Sequence, residues 1–510
     1  MNRPLSISWN RQAGWVFPTR PADRNEVEAM HPPVSGFHSS ASALRPPAPV
    51  PQPRPLGPFA LLKTLRRNAL ECWTRAHFEE PIVLGGFPFA KVAVVSDPTA
   101  VRRILVEDQA TYHKSTLERR ILSARLRNGL VAVDGGQWHR LRRTLAPMFA
   151  RKTIAAFAPA MMDVIDAILA RWRRLPDGSV LVIKTEMLQL ALDSLLACIF
   201  ADGLGDPAAV ADATVRYYSV CGTMDPFDVL GFPDFIPRLT RLRERPIMQA
   251  FDAGLSEAIR ERRRHLAAHP QEPRDMLGAM LAASDPETGE PMTEAEVKDN
   301  VMTFIFGGQE TTSSALTWAL YLLSQSAEWR ERVIAEADRV AGAPPETAVE
   351  ALVETRAVVE EALRLYPPII AITRNAARRT EILGHAIERG TLVVMPPYVI
   401  HRHRLLWHDP DLFDPRRFLP GAAEKIQRYA FLPFGIGPRM CVGATFAVQE
   451  ATLAVAAIMR QFELQLAPGE SVWPVQKNFT MRPGSGLRMT AVHRTSQLSP
   501  PLQATAATGG

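Results

Sequence analysis

In the stretch FGIGPRMCVG, Phe434 to Gly443, a single cysteine stands among three glycines, a proline and an arginine. The segment after it, ATFAVQEATLAVAAIMRQF, repeats apolar residues at helical spacing. Cys441 is thereby placed at or just before a helix N-terminus. Free backbone amides and the positive end of the helix dipole favour a thiolate there. Gly435 and Gly437 permit the positive φ that a tight turn beneath a planar ligand needs. Gly443 lets the helix backbone come close to that ligand. Arg439, two residues before the sulfur, is a fixed cation suited to a carboxylate. The plainer reading, a packed cysteine beside an ordinary glycine turn, leaves so much bare backbone unexplained.

A second stretch, GGQETT, lies inside the apolar run TEAEVKDNVMTFIFGGQETTSSALTWALYLLSQS. Thr293 and Glu296 are spaced as a capping box, which marks the start of a long helix. Gly307 and Gly308 fall in its middle, at a cost of about 1 kcal/mol each relative to alanine. Glu310 and Thr311 follow, an acid and a hydroxyl that are costly in an apolar helix without partners. The glycines clear room for a ligand, and the Thr311 hydroxyl can reach back to the Gly307 carbonyl. Taken alone, the stretch also fits a core helix with a packing-driven glycine pair.

Taken together, these residues resemble the cytochrome P450 family. Phe434, Gly437, Arg439, Cys441 and Gly443 fill every specified place of its haem-binding signature, Phe-x-x-Gly-x-Arg-x-Cys-x-Gly. GGQETT is similar to its Ala/Gly-Gly-x-Asp/Glu-Thr-Thr motif. The resemblance implies that Cys441 is the axial thiolate of a haem b iron, with Phe434 shielding the sulfur. A thiolate ligand favours O–O cleavage. It also implies that Glu310 and Thr311 serve bound dioxygen, the first with protons and the second with a hydrogen bond.

The same resemblance assigns roles elsewhere. Glu361 and Arg364 in VVEEALRLYPP lie three apart on one helical face, a spacing that is usually a weak surface pair. The family joins them to Arg417 of FDPRRF in a buried network that holds the cysteine segment. Such a network is tolerable only when its hydrogen bonds are all made. Trp138 and Arg142 in GGQWHRLRRTLAPMF are i and i+4, and the resemblance brings both to one haem propionate. Arg374 meets the other, Arg439 joins them, and Lys114 is a further candidate. His401, Arg402 and His403 in HRHRLLWHDP suggest a metal site at first sight. They read instead as the family's ordinary approach to FDPRRF. Phe304, Gly307, Ile369, Ile370, Ile372, Phe479 and Thr480 correspond to substrate contacts. Most are apolar, which implies a small apolar substrate. The segment MDPFDVLGFPDFIP would lie in a lid.

The elements that position these residues read as mainly α with small β-sheets, an α+β class. In the P450 fold the haem lies between a long distal helix and a proximal cysteine loop. VAVVSDP reads as a strand followed by a helix, and residues 155–345 read as almost wholly helical. TLVVMPPYVI and GSGLRMTAVH read as strands. Residues 1–57 read as a proline-rich disordered leader, with RPPAPVPQPRPLGP extended and polyproline-like. Residues 58–495 form a single catalytic domain, and 496–510 a disordered tail. Met30 is a second candidate for the true start.

The 510 residues are 46% hydrophobic and 22% charged, as in ordinary globular proteins. The formal net charge of +6 comes without a basic block interleaved with aromatics, so no nucleic-acid partner is expected. A basic face suits an acidic protein partner instead. The four cysteines have no metal or disulfide spacing, which fits a reducing, cytoplasmic location. No apolar run of about 18 residues occurs, so no transmembrane anchor is expected. The residues after Cys441 are too few for a fused reductase. Electrons from NAD(P)H are therefore expected through a separate ferredoxin or flavodoxin-type donor with its reductase. The expectation is a monomeric monooxygenase that inserts one oxygen atom of O2. Its rivals are a peroxide-using haem-thiolate peroxygenase, which would not need the Glu310–Thr311 pair, and a non-catalytic haem sensor, which would need a partner domain.

Overall fold

The computed structural model describes residues 44–87, 90–116, 118–119, 126–201, 239–269, 275–477 and 480–494, with two-residue strands at Trp9–Asn10 and Gly14–Trp15. The helix Glu294–Gln325 runs through the middle of the molecule, and its buried residues extend from Val297 to Leu323. Its start is the capping box read from sequence. The Glu296 N–H donates to Thr293 Oγ1 at 3.2 Å, and the Thr293 N–H to Glu296 Oε2 at 3.0 Å. The helices Ala158–Arg173, Ile183–Ile199, Val353–Leu365 and Ala444–Gln461 pack around it and share one apolar core with it. The stretch Arg151–Arg173 is long and apolar enough to cross a membrane. It buries Met161, Ile165, Leu169 and Trp172 in that core.

The largest sheet has five strands in the order Ile82–Phe87, Ala90–Val95, Leu392–Met395, Ile372–Ala376 and Tyr112–Lys114. Only the pairing of Ala90–Val95 with Leu392–Met395 is parallel, with Val393 opposite Ala93. The strand expected over residues 391–400 is thus shorter than read. Residues Pro397–Ile400 form a helical turn instead, because proline lacks an amide for the ladder and is preset for a helix start. The helix after VAVVSDP spans Pro98–Arg102 and widens into a π-type turn over Arg103–Glu107. Among its described residues, the region read as almost wholly helical contains one strand, Ser179–Val182. It pairs antiparallel with the late strand Arg488–His493.

The folded body begins earlier than the expected boundary at residue 57. The Phe413 N–H donates to the Leu44 carbonyl at 3.0 Å, and the Tyr366 hydroxyl to the Pro47 carbonyl at 2.8 Å. Gln52 exchanges backbone bonds with Trp73 and Arg75. An extended proline-rich backbone makes no internal hydrogen bonds, so its carbonyls are free to accept these. Apart from those two short strands, the remainder of the expected leader, together with the expected tail, the lid segment, Cys221 and Phe479, lies outside the described residues.

Candidate active site

A cavity of about 700 Å³ opens between the middle of the Glu294–Gln325 helix and the Phe434–Gly443 loop. Cys441, Phe434, Arg439 and Gly443 line one side, and Phe304, Gly307, Glu310 and Thr311 the other. Ile369, Ile370, Ile372 and Thr480 also line it, as do Trp138, Arg142, Lys114 and Arg374. Leu105, Phe149, Leu195, Leu363 and Phe446 add apolar wall that the sequence reading did not single out.

The loop is built by its own backbone. The Cys441 N–H donates to the Phe434 carbonyl at 2.9 Å, the Gly435 N–H to Leu432 at 3.1 Å and the Met440 N–H to Gly437 at 3.0 Å. Gly435 and Gly437 have φ of +70° and +75°. A Cβ on Gly437 would stand 2.5 Å from the Leu105 carbonyl oxygen, so that glycine also answers to the neighbouring Arg103–Glu107 turn. Gly443 caps the following helix.

Cys441 is exposed, but onto the cavity, whose walls surround its thiol with protein. Burial pushes its pKa up, against the Gly443 N–H and the nearby Arg142 guanidinium. The amides and dipole expected to favour a thiolate are therefore outweighed by desolvation in the protein alone. A coordinated metal ion would reverse that balance, because it deprotonates the thiol that binds it.

Across the cavity the two central glycines separate in role. A Cβ on Gly307 would meet nothing within 4 Å, whereas one on Gly308 would lie 2.9 Å from Leu195 Cδ1. Gly307 leaves room in the cavity, and Gly308 permits the close crossing with the Ile183–Ile199 helix. The Thr311 hydroxyl donates to the Gly307 carbonyl at 2.7 Å. Glu310 is buried and bonded to other partners. Its Oε1 accepts the Thr480 hydroxyl at 2.8 Å and lies 3.9 Å from Lys184 Nζ. Burial lowers the Lys184 pKa to about 8, with Glu310 opposing the fall. Thr480 reaches the cavity, but its hydroxyl is spent on Glu310.

Four cations line the cavity, Lys114, Arg142, Arg374 and Arg439. Arg439 contacts Asp134 and lies over the Trp138 ring at 4.3 Å from its centroid. Arg374 Nη1 is 3.7 Å from Glu118 Oε2. Lys114 donates to the Val131 carbonyl, and burial lowers its pKa to about 8. Burial also pulls the Arg142, Arg374 and Arg439 guanidinium pKa values down. Asp134 is the N-cap of the helix Gly135–Leu145, which carries Trp138 and Arg142 on one face.

Glu361 and Arg364 are wholly buried and bidentate, with Nε to Oε2 at 2.6 Å and Nη2 to Oε1 at 2.7 Å. The remaining Arg364 donors reach the carbonyls of His401, Pro410 and Leu412 at 2.7–2.9 Å. Arg417 Nε stands 3.7 Å from Glu361 Oε1, and the Asp414 N–H donates to that oxygen at 2.8 Å. The three charged residues are thus brought together with every Arg364 nitrogen bonded, the condition under which a buried ion pair is tolerated.

The sequence matches the family described as Cytochrome P450 over residues 49–488. The chain belongs to the cytochrome P450 family. It is 35% identical to "Cyclooctatin synthase" of Streptomyces melanosporofaciens over 68% of this chain and 75% of that one. It is 32% identical to "Pentalenene oxygenase" of Streptomyces avermitilis over 71% and 80%. The solved heme domain of cytochrome P450DA superposes with a TM-score of 0.75 at 25% identity, covering 88% of this chain and 98% of that chain. The protein is accordingly a P450 oxidoreductase of the mainly α, α+β fold, and haem is the cofactor of its family.

The residues present fit that cofactor. Lys114, Arg374 and Arg439 cluster with Glu118 and Asp134, and Arg142 adds a further cation to the cavity wall beside Cys441. Arg439 Nη1 is buried without a hydrogen-bond partner. A planar ligand with two carboxylates completes this balance. The role of Lys184 was not legible in sequence, since it stands in an unremarkable helix start far from GGQETT. Asp134 was more nearly so, as an N-cap residue before a helix.

Proposed function

We propose that this P450 hydroxylates an apolar, terpenoid-class substrate with one oxygen atom of O2. The observation that carries this reading is that Cys441, Glu310 and Thr311 open on one largely apolar cavity. Relatives named cyclooctat-9-en-7-ol 5-monooxygenase and pentalenene oxygenase support the substrate class. Electrons come from NAD(P)H through a separate ferredoxin or flavodoxin-type donor and its reductase, docked on the basic face near Cys441. A monomer in the cytoplasm goes with the bacterial relatives.

Cys441 Sγ would hold the haem iron, and the Gly443 N–H and Arg142 favour its anionic form. Trp138, Arg142, Arg374 and Arg439 would hold the propionates, with Lys114 near Arg374 and Arg439. Haem, when bound, supplies the activation of dioxygen. Thr311 holds its hydroxyl at the cavity surface through the Gly307 carbonyl, where it can pass a proton onward. Glu310 is the acid of the proton path, held in place by Thr480 and Lys184. Phe304, Ile369, Ile370 and Ile372 exclude water and seat the substrate. Phe479 belongs to the same group by sequence. Glu361, Arg364 and Arg417 hold the segment that leads to Cys441 and touch no substrate.

The test is reconstitution with a bacterial ferredoxin, its reductase and NADPH. Candidate terpenes are first ranked by the low-to-high-spin shift of the Soret band. The expected result is a hydroxylated product carrying one atom from isotopically labelled dioxygen. Turnover only with peroxide would favour the peroxygenase, and a spectral response without any turnover would favour the sensor.

A further inference from the structure

The segment HRHRLLWHDP binds no metal in the reading above, yet it joins the buried ion pair to the cysteine loop. His401 is wholly buried and makes two contacts of different kinds. Its backbone carbonyl accepts Arg364 Nη1 at 2.8 Å. Its ring Nε2 accepts the backbone N–H of Leu432 at 2.9 Å. The Leu432 carbonyl takes the Gly435 N–H at 3.1 Å, which closes the first turn of the loop. The Phe434 carbonyl takes the Cys441 N–H at 2.9 Å. A continuous chain of hydrogen bonds and short backbone links therefore runs from Glu361 through Arg364, His401 and Leu432 to Cys441.

We propose that His401 is a positioning residue for Cys441, coupling the Glu361–Arg364 pair to the backbone that enters the cysteine loop. The proposal rests on the reading of Cys441 as the haem ligand. Accepting a hydrogen bond at Nε2 requires a neutral ring with its proton on Nδ1. The surroundings enforce that state. Burial, with Arg364 and Arg402 close by, lowers the His401 pKa to about 3. Nδ1 faces the carbonyls of Leu363 and Arg364, short of a well-formed bond to either. The Phe431 ring, 5.2 Å away, limits how the imidazole can turn. An apolar side chain at this position would leave the buried Leu432 amide without the acceptor it has in His401. The loop would then lose the anchor that sets where its first turn begins.

The experiment compares the wild-type holoenzyme with His401→Leu, which has no acceptor, and His401→Gln, whose amide oxygen reaches about as far as Nε2. The readouts are the fraction of thiolate-type ferrous–CO band, the rate of haem loss to an apo-globin acceptor, and the thermal midpoint by circular dichroism. The wild-type band by itself tests the ligand reading of Cys441, so failure there is separate from failure of this proposal. Well below its melting temperature, His401→Leu is expected to lose most of the thiolate-type band. It should also shed haem about tenfold faster, as the loss of a buried acceptor predicts. His401→Gln is expected to restore most of both. Unchanged band and haem loss in folded His401→Leu would overturn the proposal, whatever its melting temperature. Should His401→Leu fail to fold, His401→Gln decides. A near-wild-type band and haem retention support the proposal, and loss of the band in folded His401→Gln counts against it.

Discussion

The Thr480 hydroxyl donates to Oε1 of Glu310 at 2.8 Å, while the adjacent Thr311 donates to the Gly307 carbonyl at 2.7 Å. Neighbouring residues of one helix therefore bond to different partners on the same cavity wall. Glu310 is anchored to a late strand and to Lys184, and Thr311 stays at the cavity surface. Under the proposed mechanism, the acid and the hydroxyl of the proton path are thus held separately. Glu310→Gln is expected to cut product formation about 100-fold, the usual scale of a lost general acid. Thr480→Val removes only the anchor. It should lower product per NADPH and raise peroxide, with the ferrous–CO band unchanged. Thr311→Ala should likewise consume NADPH and yield mostly peroxide. Measured coupling at the wild-type level in Thr480→Val would remove the anchor from the mechanism.

The two mid-helix glycines should behave differently. Gly307→Ala adds a methyl into free space and gains helix propensity, so it should stabilise the protein by roughly 0.5–1 kcal/mol. The same methyl should weaken the spin shift produced by bulky apolar ligands. Gly308→Ala presses on Leu195 at 2.9 Å, and overpacking of roughly 1–3 kcal/mol should exceed the propensity gain. Adding Leu195→Val should recover part of the loss. Thermal melts of the single and double variants decide this.

Gly437→Ala meets two obstacles at once. Its φ of +75° is unfavourable for alanine by roughly 1–2 kcal/mol, and its Cβ would stand 2.5 Å from a backbone oxygen that cannot swing aside. Haem content per protein should fall sharply, read from the ratio of Soret to protein absorbance. Full haem occupancy would show that the loop can shift away from Leu105.

Glu450 is buried between the Ala444–Gln461 and Ile183–Ile199 helices, and burial raises its pKa from 4.5 to about 8, with Ser194 opposing. The folded state therefore holds a proton that the unfolded state releases between about pH 4.5 and 8, and stability falls as pH rises through that window. Glu450→Gln should melt like wild type near the bottom of the window. Near the top it should be more stable by an amount on the order of a few kcal/mol. Parallel melting curves at both ends would place the acid in a better-solvated site.

Cys198, on the facing helix, is also wholly buried, and burial drives its thiol pKa upward. It should resist alkylating reagents in the folded protein and react only on unfolding.

Much of this protein was determined locally, and that much was legible in the sequence. The Thr293–Glu296 cap, the left-handed glycines of the cysteine loop and the helix that starts at Ala444 depend on residues a few positions apart. Short-range hydrogen bonds and φ preferences act within such distances. The spacing of Glu361 to Arg364 and of Trp138 to Arg142 likewise follows from a helical turn. Tertiary structure decided what those side chains meet. Glu310 and Thr480 are 170 positions apart, and Lys184 reaches the same carboxylate from a third element. His401 meets Leu432 across 31 positions, and the last residues of the supposed leader are held by Tyr366 and Phe413. No periodicity records such pairings, because burial makes an unpaired polar group costly without saying in advance which partner the packed chain will bring to it.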